Sequence, residues 1–244
     1  MATDQPRILI VEDHPLFRMA LKTALLQFDP DVHVVEADTV SAMQAALEGR
    51  NSPRMVLLDL AMPGSCGLSA LLHLRGQHPE LPVIVISSQD DQQTMRRVKG
   101  CGARAFVSKA SCMLRLREAV AEVMSGATWF PELDATGETD LPQPDAFEQR
   151  IAGLTPQQFR VLGMVTEGLL NKQIAWELHI SEATVKAHLT AIFRKLGVRT
   201  RTQAVLAVQQ LAVDKDAGAD DSADDSADDS ADDSADDSCA ANDS

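Results

Sequence analysis

The sequence predicts an α/β doubly wound parallel five-stranded sheet, strand order 2-1-3-4-5, followed by a small all-α helix-turn-helix domain. Three observations predict it. Short apolar runs alternate with helix-like stretches from residue 7 to about 125. The runs are apolar on both faces, as strands buried in a parallel sheet must be. From residue 154 the spacing turns helical and no strand-like run follows. Strands alternating with helices place helices on both sides of one sheet.

The elements follow in order. Strands are expected at 7–12 (RILIVE), 32–37 (VHVVEA), 55–59 (MVLLD), 83–87 (VIVIS) and 105–108 (AFVS). Helices are expected at 15–27, 39–48, 68–78, 90–100 and 111–125. In the last of these Leu114, Leu116, Ala119, Val120 and Val123 form an amphipathic stripe. Residues 126–150 are rich in Pro, Gly, Asp and Thr, a linker's composition. Helices then follow at 155–167, 171–178, 181–197 and 201–211. From 219 to 238 the chain repeats ADDS five times. Such a segment has almost no apolar surface to bury and is expected to be disordered. The domain reading is therefore 1–125, a linker at 126–150, 151–213, and an acidic tail at 214–244.

Charge divides along the same boundaries. The formal charge is −14, yet residues 214–244 hold 13 Asp and one Lys and account for −12 of it, leaving −2 for the other 213 residues. Residues 151–213 have 7 Lys and Arg against 3 Asp and Glu, a local +4. Local charge governs partners more than the total does. No apolar run approaches the roughly 18–20 residues that span a bilayer. The N-terminus lacks a signal-peptide pattern. Cys66, Cys101, Cys112 and Cys239 show no metal-type spacing. A cytoplasmic protein with reduced thiols and no membrane association is expected.

Carboxylates converge on one sheet edge. Asp59 ends the third strand, Glu12 and Asp13 end the first, Ser87 ends the fourth, and Lys109 follows the fifth. In this strand order those ends are neighbours, at the edge where open α/β sheets build their sites. Carboxylates crowded together repel unless a cation sits among them, and hard oxygen ligands suit Mg²⁺. A lone Asp at a strand end is most often a turn or capping residue. The company it keeps here argues otherwise.

The set resembles the receiver domain of bacterial two-component response regulators, over roughly residues 7–125. The family's acidic pair matches Glu12 and Asp13, and its phosphoacceptor matches Asp59. The loop motif that follows matches Met62, Pro63 and Gly67, its Ser/Thr matches Ser87, its lysine Lys109, and its aromatic switch position Phe106. The resemblance implies a nucleophilic Asp59 that takes a phosphoryl group from a histidine kinase or phosphorelay protein. It implies Mg²⁺ held by Asp13, Asp59, the Ala61 carbonyl and, through water, Glu12. Ser87 and Phe106 would report the phosphoryl group to the surface. An enzymatic alternative, a haloacid-dehalogenase-like phosphatase, wants a second Asp two residues after the nucleophile. Ala61 stands there.

In the basic segment, Ser181 is a good N-cap and Gly197 a good stop for one helix. At ~100° per residue, Val185, Leu189, Ile192 and Leu196 share a face. Ala183, Ala187, Thr190 and Arg194 lie opposite, with Lys186 on the shoulder. Small residues let a helix sit deep in a groove, while Lys and Arg reach phosphates or base edges. NKQIAWELHIS leads into it through a tight turn, which makes a helix-turn-helix. A plain bundle with a solvated basic face, or one that meets a partner protein, remains the alternative.

Residues 154–205 resemble the LuxR-type output domain of NarL/FixJ-type regulators. The marks include Leu154-Thr155-Pro156, Asn171-Lys172, Ile180-Ser181, Thr184-Val185-Lys186, His188 and Lys195-Leu196-Gly197-Val198. The resemblance implies a transcription regulator rather than an enzyme, binding double-stranded DNA. Lys186, Ala187 and Thr190 would face bases, joined by Arg194 on the same face. Asn171, Lys172, Ser181, Thr184, Lys195 and Arg199 would meet phosphates. Val205, Val208 and Leu211 would pair two subunits in a homodimer formed on phosphorylation, or else pack inside the domain.

Overall fold

The alternation of apolar side chains along each strand sorts them onto two faces, and each face has its own layer of helices. In the computed structural model, which describes residues 7–48, 52–62, 68–130, 133 and 142–211, five parallel strands run β1 (Arg7–Val11), β2 (His33–Ala37), β3 (Met55–Asp59), β4 (Val83–Ser87) and β5 (Ala105–Ser108). Their order is β2-β1-β3-β4-β5. The parts of the Asp59 loop motif at Pro63 and Gly67, Cys66, residues 131–132 and 134–141 of the stretch read as linker, and the ADDS tail lie outside the described residues. Between the strands run α1 (Pro15–Phe28), α2 (Val40–Glu48), α3 (Ser69–Gln77) and α4 (Gln92–Gly100), and α5 (Cys112–Met124) follows β5.

Ile8, Ile10, Met55, Leu57, Ile84, Ile86, Ala105 and Val107 face one way and bury Leu21 and Leu25 of α1 with Leu116, Ala119 and Val123 of α5. Leu9, Val11, Val56, Leu58, Val83, Val85 and Phe106 face the other way, onto Met43 of α2, Leu71 and Leu74 of α3, and Met95 and Val98 of α4. Both faces being covered, β3 and β4 are buried at every residue. The ends are punctuated by local chemistry. Asp91 caps α4 by accepting from the Thr94 N–H at 2.9 Å.

Beyond the sheet lie α6 (Ala146–Ala152), α7 (Pro156–Thr166), α8 (Asn171–Glu177), α9 (Glu182–Leu196) and α10 (Arg201–Gln209). Helix α6 begins inside the stretch whose composition reads as linker. A capping box starts it: Asp145 accepts from the N–H groups of Phe147 and Glu148 at 2.7 and 2.8 Å, and Glu148 accepts from the Asp145 N–H at 2.8 Å. Its reason to fold is tertiary. Helix α6 packs on α3 so closely that a Cβ on Gly76 would strike the Ala152 carbonyl. The second Glu148 oxygen, buried, accepts from Arg97 Nη2 of α4 at 2.9 Å.

Helix α7 closes on α2 and α3. Arg160 Nε donates to Ser41 Oγ at 3.1 Å, and the Phe159 ring stacks on His73 with centroids 4.0 Å apart and planes 6° from parallel. The Leu68 N–H donates to the Leu211 carbonyl at 3.3 Å. The described residues accordingly form one compact unit, and the core on the α2–α4 side runs on into Phe159, Leu162 and Val165.

One backbone position carries strain. His179, in the turn from α8 to α9, has φ 54°, the left-handed region that disfavours a Cβ. His179→Gly is expected to raise stability by about 0.5–1 kcal/mol, the steric relief being partly offset by glycine's entropy. Urea unfolding of the full chain measures it, and a lowered midpoint would contradict strain at this turn.

Candidate functional site

The register of the sheet places the polar residues. Val11 of β1 pairs with Leu58 of β3, so Glu12 and Asp59 come level one residue later. Asp59 pairs with Ile86 of β4, and Ser87 with Ser108 of β5, so Ser87 and Lys109 arrive at the same carboxyl edge. The Lys109 N–H donates to the Ser87 carbonyl at 2.7 Å, fixing where the lysine leaves the sheet.

There the side chains meet. Lys109 Nζ lies 3.0 Å from Asp59 Oδ2, and 2.8 and 3.1 Å from the two Glu12 oxygens. Asp59 and Glu12 are each 1% exposed. The Asp59 Oδ1 accepts from the Ala61 N–H at 3.1 Å. Burial works against the Lys109 ammonium, but its hydrogen bond to Glu12 and the Asp59 charge outweigh that and raise its pKa above the ordinary value. The ammonium also lies 4.8 Å from the Phe17 ring centroid.

Acceptor capacity remains unused. Glu12 Oε2, Asp13 Oδ1 and Asp59 Oδ2 are buried and have charge partners, yet none of them accepts a well-directed hydrogen bond. Glu12, Asp13, His14 and Asp59 each offer a ligand atom, and those atoms all lie within 4.8 Å of one another. An acidic cluster of this kind could bind a metal ion. Ser87, buried, has its hydroxyl oxygen accepting from the Gln89 N–H at 3.1 Å. Phe106 is buried within β5, on the α2–α4 side of the sheet.

Two side chains at this edge escaped the sequence reading. His14 Nδ1 sits 3.0 Å from Glu12 Oε1 and 2.9 Å from Asp13 Oδ1, and the Glu12 hydrogen bond, then the Asp13 charge, raise its pKa. Arg18 Nη1 donates to the Glu12 carbonyl at 2.7 Å and its Nε to Glu36 at 3.3 Å, which ties α1 to the acidic loop. Adjacency to the acid pair is the signal for His14. Arg18, one turn further on, gave none.

The second group lies on α8 and α9. Ser181 caps α9 by accepting from the Thr184 N–H at 3.1 Å, and Gly197 ends it at φ 74°. Val185, Leu189, Ile192 and Leu196 are buried. Lys186, Ala187, Thr190, Arg194, Ser181, Thr184, Lys172 and Arg199 are exposed, while Asn171 and His188 are half-buried. Thr190 Oγ1 donates to the Lys186 carbonyl at 2.9 Å. Lys195 is held within the chain, its Nζ 3.1 Å from the Gly153 carbonyl and 2.9 Å from Gln158 Oε1. Val208 and Leu211 are buried and Val205 half-buried.

Two families match this chain, one over each segment. Residues 8–121 match the family described as response regulator receiver domain, and residues 152–208 match bacterial regulatory proteins of the luxR family. A glycerol metabolism activator of Pseudomonas putida is 37% identical over 209 residues, covering 82% of this chain and 94% of that protein. The nitrate/nitrite response regulator protein NarP of Escherichia coli is 34% identical over 205 residues, covering 84% and 95%. RcsB of Salmonella enterica serovar Typhimurium, solved bound to promoter P1flhDC with a phosphomimetic, shares the fold at TM-score 0.50 and 23% identity, over 85% of this chain and 99% of that one.

Lys109 is the cation that this edge depends on. Lys109→Met is expected to lower stability by about 2 kcal/mol at neutral pH, discounted from a fully buried pair because the side chain reaches solvent. A lysine whose folded pKa is raised stabilises fully below its unfolded value of 10.5 and loses that contribution as pH rises through the folded value. Urea titrations from neutral to strongly alkaline pH should therefore show the gap between wild type and variant closing only at the alkaline end.

Proposed function

The chain belongs to the NarL-type response regulators, which join a receiver domain to a LuxR-type DNA-binding domain, and from that premise we propose that phosphorylation of Asp59 controls its dimerisation and DNA binding. The observation that carries the proposal is the buried Asp59 carboxylate 3.0 Å from Lys109, beside Glu12 and Asp13. We assign residues 1–125 to the receiver, 126–150 to the linker, 151–213 to the DNA-binding domain and 214–244 to an acidic tail.

In this reading Asp59 attacks the phosphorus of a phosphohistidine on a kinase or phosphorelay protein. The new bond is Asp59 O–P, and the P–N bond breaks with its electrons returning to the donor imidazole. Asp13, Asp59 and the Ala61 carbonyl, with Glu12 through water, would hold Mg²⁺, which supplies positive charge for the phosphoryl oxygens. The unused oxygens of Glu12, Asp13 and Asp59 fit such a cation. Lys109 neutralises the same charge from the protein side. Ser87 exchanges the Gln89 N–H for a phosphoryl oxygen, to which its hydroxyl donates. Phe106, on the neighbouring strand, then repacks and passes the change to the α4–β5–α5 face.

The output is DNA. Lys186, Ala187, Thr190 and Arg194 project from α9 toward base edges in the major groove, and Asn171, Lys172, Ser181, Thr184 and Arg199 hold phosphates. Lys195 joins them by exchanging its present partners for a phosphate. Dimerisation through Val205, Val208 and Leu211 requires the buried end of α10 to come free, so it follows release of that end. The protein acts in the cytoplasm, beside the DNA it reads; among the described residues no helix is long and apolar enough to cross a membrane.

The test is selection of a motif from a random double-stranded DNA library, with and without acetyl phosphate and Mg²⁺. A paired motif enriched only with the phosphodonor is expected. Asp59→Asn should abolish that dependence, and if it leaves donor-dependent dimerisation intact the phosphoacceptor assignment fails. Lys186→Ala should weaken binding to the selected motif by roughly 1–3 kcal/mol and relax its sequence preference, whereas Lys172→Ala should weaken all sequences alike and reduce the salt slope by about 1.

A further inference from the structure

One buried titratable side chain has no part in the chemistry above. His73, on α3, is fully buried, and neither ring nitrogen has a hydrogen-bond partner. Its only ring contact among the described residues is the Phe159 face, 4.0 Å away and nearly parallel. Gln44 of α2 is likewise buried with both amide atoms unpartnered. Elsewhere this interface uses paired groups: Arg97 with Glu148, Arg160 with Ser41, Gln77 with the Ala152 carbonyl. A surface that holds polar groups without partners when covered, and gives them water when uncovered, is suited to parting.

We propose that the seam where α3 meets α6, α7 and the end of α10 is a proton-sensitive latch, which the stacked His73–Phe159 pair keeps closed only while the imidazole is neutral. A neutral imidazole stacks as an aromatic ring. An imidazolium in the same place would carry two N–H donors with no acceptor and no water, and the attraction of one phenyl face does not replace hydration. The proton is admitted by opening the seam, because only then does the ring meet solvent.

The surrounding charges do not reverse this. On its own helix Arg75 donates to the Leu81 carbonyl, and His78 at the helix end disfavours a second positive charge. Helix α6 brings Glu148, committed to Arg97, and Arg150, committed to the Leu196 carbonyl. Helix α7 brings Arg160, committed to Ser41, and α2 brings the neutral Gln44. Among the described residues, no carboxylate facing the ring is free to receive the imidazolium. Burial, then His78, push the His73 pKa from 6.5 down to about 3 in the closed form.

The direction follows from linkage. The open form, with an ordinary pKa of 6.5, binds the proton that the closed form refuses. Closure is thus fully favoured above that value and weakens as pH falls below it. Between pH 7.5 and 5.5 the closing equilibrium should fall about tenfold. The inference needs only the closed seam and holds whether or not phosphorylation operates it.

The Leu68 N–H, bonded across the seam to Leu211, supplies a reporter. Its hydrogen-exchange protection in the full-length protein, corrected for intrinsic chemistry, should drop about tenfold from pH 7.5 to 5.5. In His73→Phe, which keeps the stack and cannot titrate, protection should stay constant. Equal drops in both proteins, or none in wild type, overturn the proposal. A second measurement guards against a folding defect. The His73 ring titration, followed by NMR, should lie well below 6.5 in wild type and move up toward it in Gly76→Val, whose side chain meets the Ala152 carbonyl and pries the seam apart. An unchanged titration would mean that the seam does not set the proton affinity.

Discussion

The structure turns on one electrostatic constraint, the crowding of Glu12, Asp13 and Asp59 at the carboxyl edge of a sheet that is dry on both faces. At an effective dielectric of about 20, two unit charges 4 Å apart interact by about 4 kcal/mol, a large share of a domain's net stability. Lys109 meets two of the carboxylates and cannot neutralise three. His14 answers part of the remainder from outside, and its raised pKa is the measure of that pull. Arg18 contributes through the Glu12 and Asp13 carbonyls rather than the carboxylates. The edge thus keeps a residual appetite for positive charge while its geometry is held by backbone register, independent of any ligand.

The meeting of these residues was legible because each of their strands is a short apolar run that stops at a polar residue. A residue that breaks an apolar strand at its last position, as Asp59 does, can only be at the edge, and the strand order then decides its neighbours. The helices of the basic segment were legible through caps such as Ser181 and Gly197. Helix α6 was not, although its Asp145–Glu148 capping box stands in the sequence. Seven residues are too few to show a helical period, and the Pro- and Asp-rich surroundings dominate the composition. What makes α6 fold is Gly76 of α3 and Arg97 of α4, about seventy and fifty residues away in sequence.

Side-chain roles were less legible than positions. A helical wheel places Lys195 beside the face proposed to read DNA, but it cannot show that the Gly153 carbonyl and Gln158 wait within reach. His73 and Phe159 look like ordinary members of two helix stripes. Only their stacking, between positions 86 apart in sequence, reveals that each completes the other's burial. Val208 and Leu211 carry the same lesson. An apolar stripe says that a face is covered without saying by what, and here the cover lies within one chain.

The closed seam divides the DNA-binding segment into a held part and a free part. The receiver side grips α6 through Gly76, Gln77 and Arg97, α7 through Ser41 and His73, and the end of α10 through Leu68. Lys186, Ala187, Thr190 and Arg194 remain exposed in the same conformation. Closure therefore does not cover the face of α9. It restrains the elements around that face, and most directly the C-terminal end of α10, which the proposed dimer would need free. A single copy presents one reading helix, whereas paired half-sites require two at a fixed spacing. In the proposed dimer, holding α10 would withhold the second helix, and a seam with a few unpartnered polar groups would act on that interface without covering the α9 side chains assigned to base contacts.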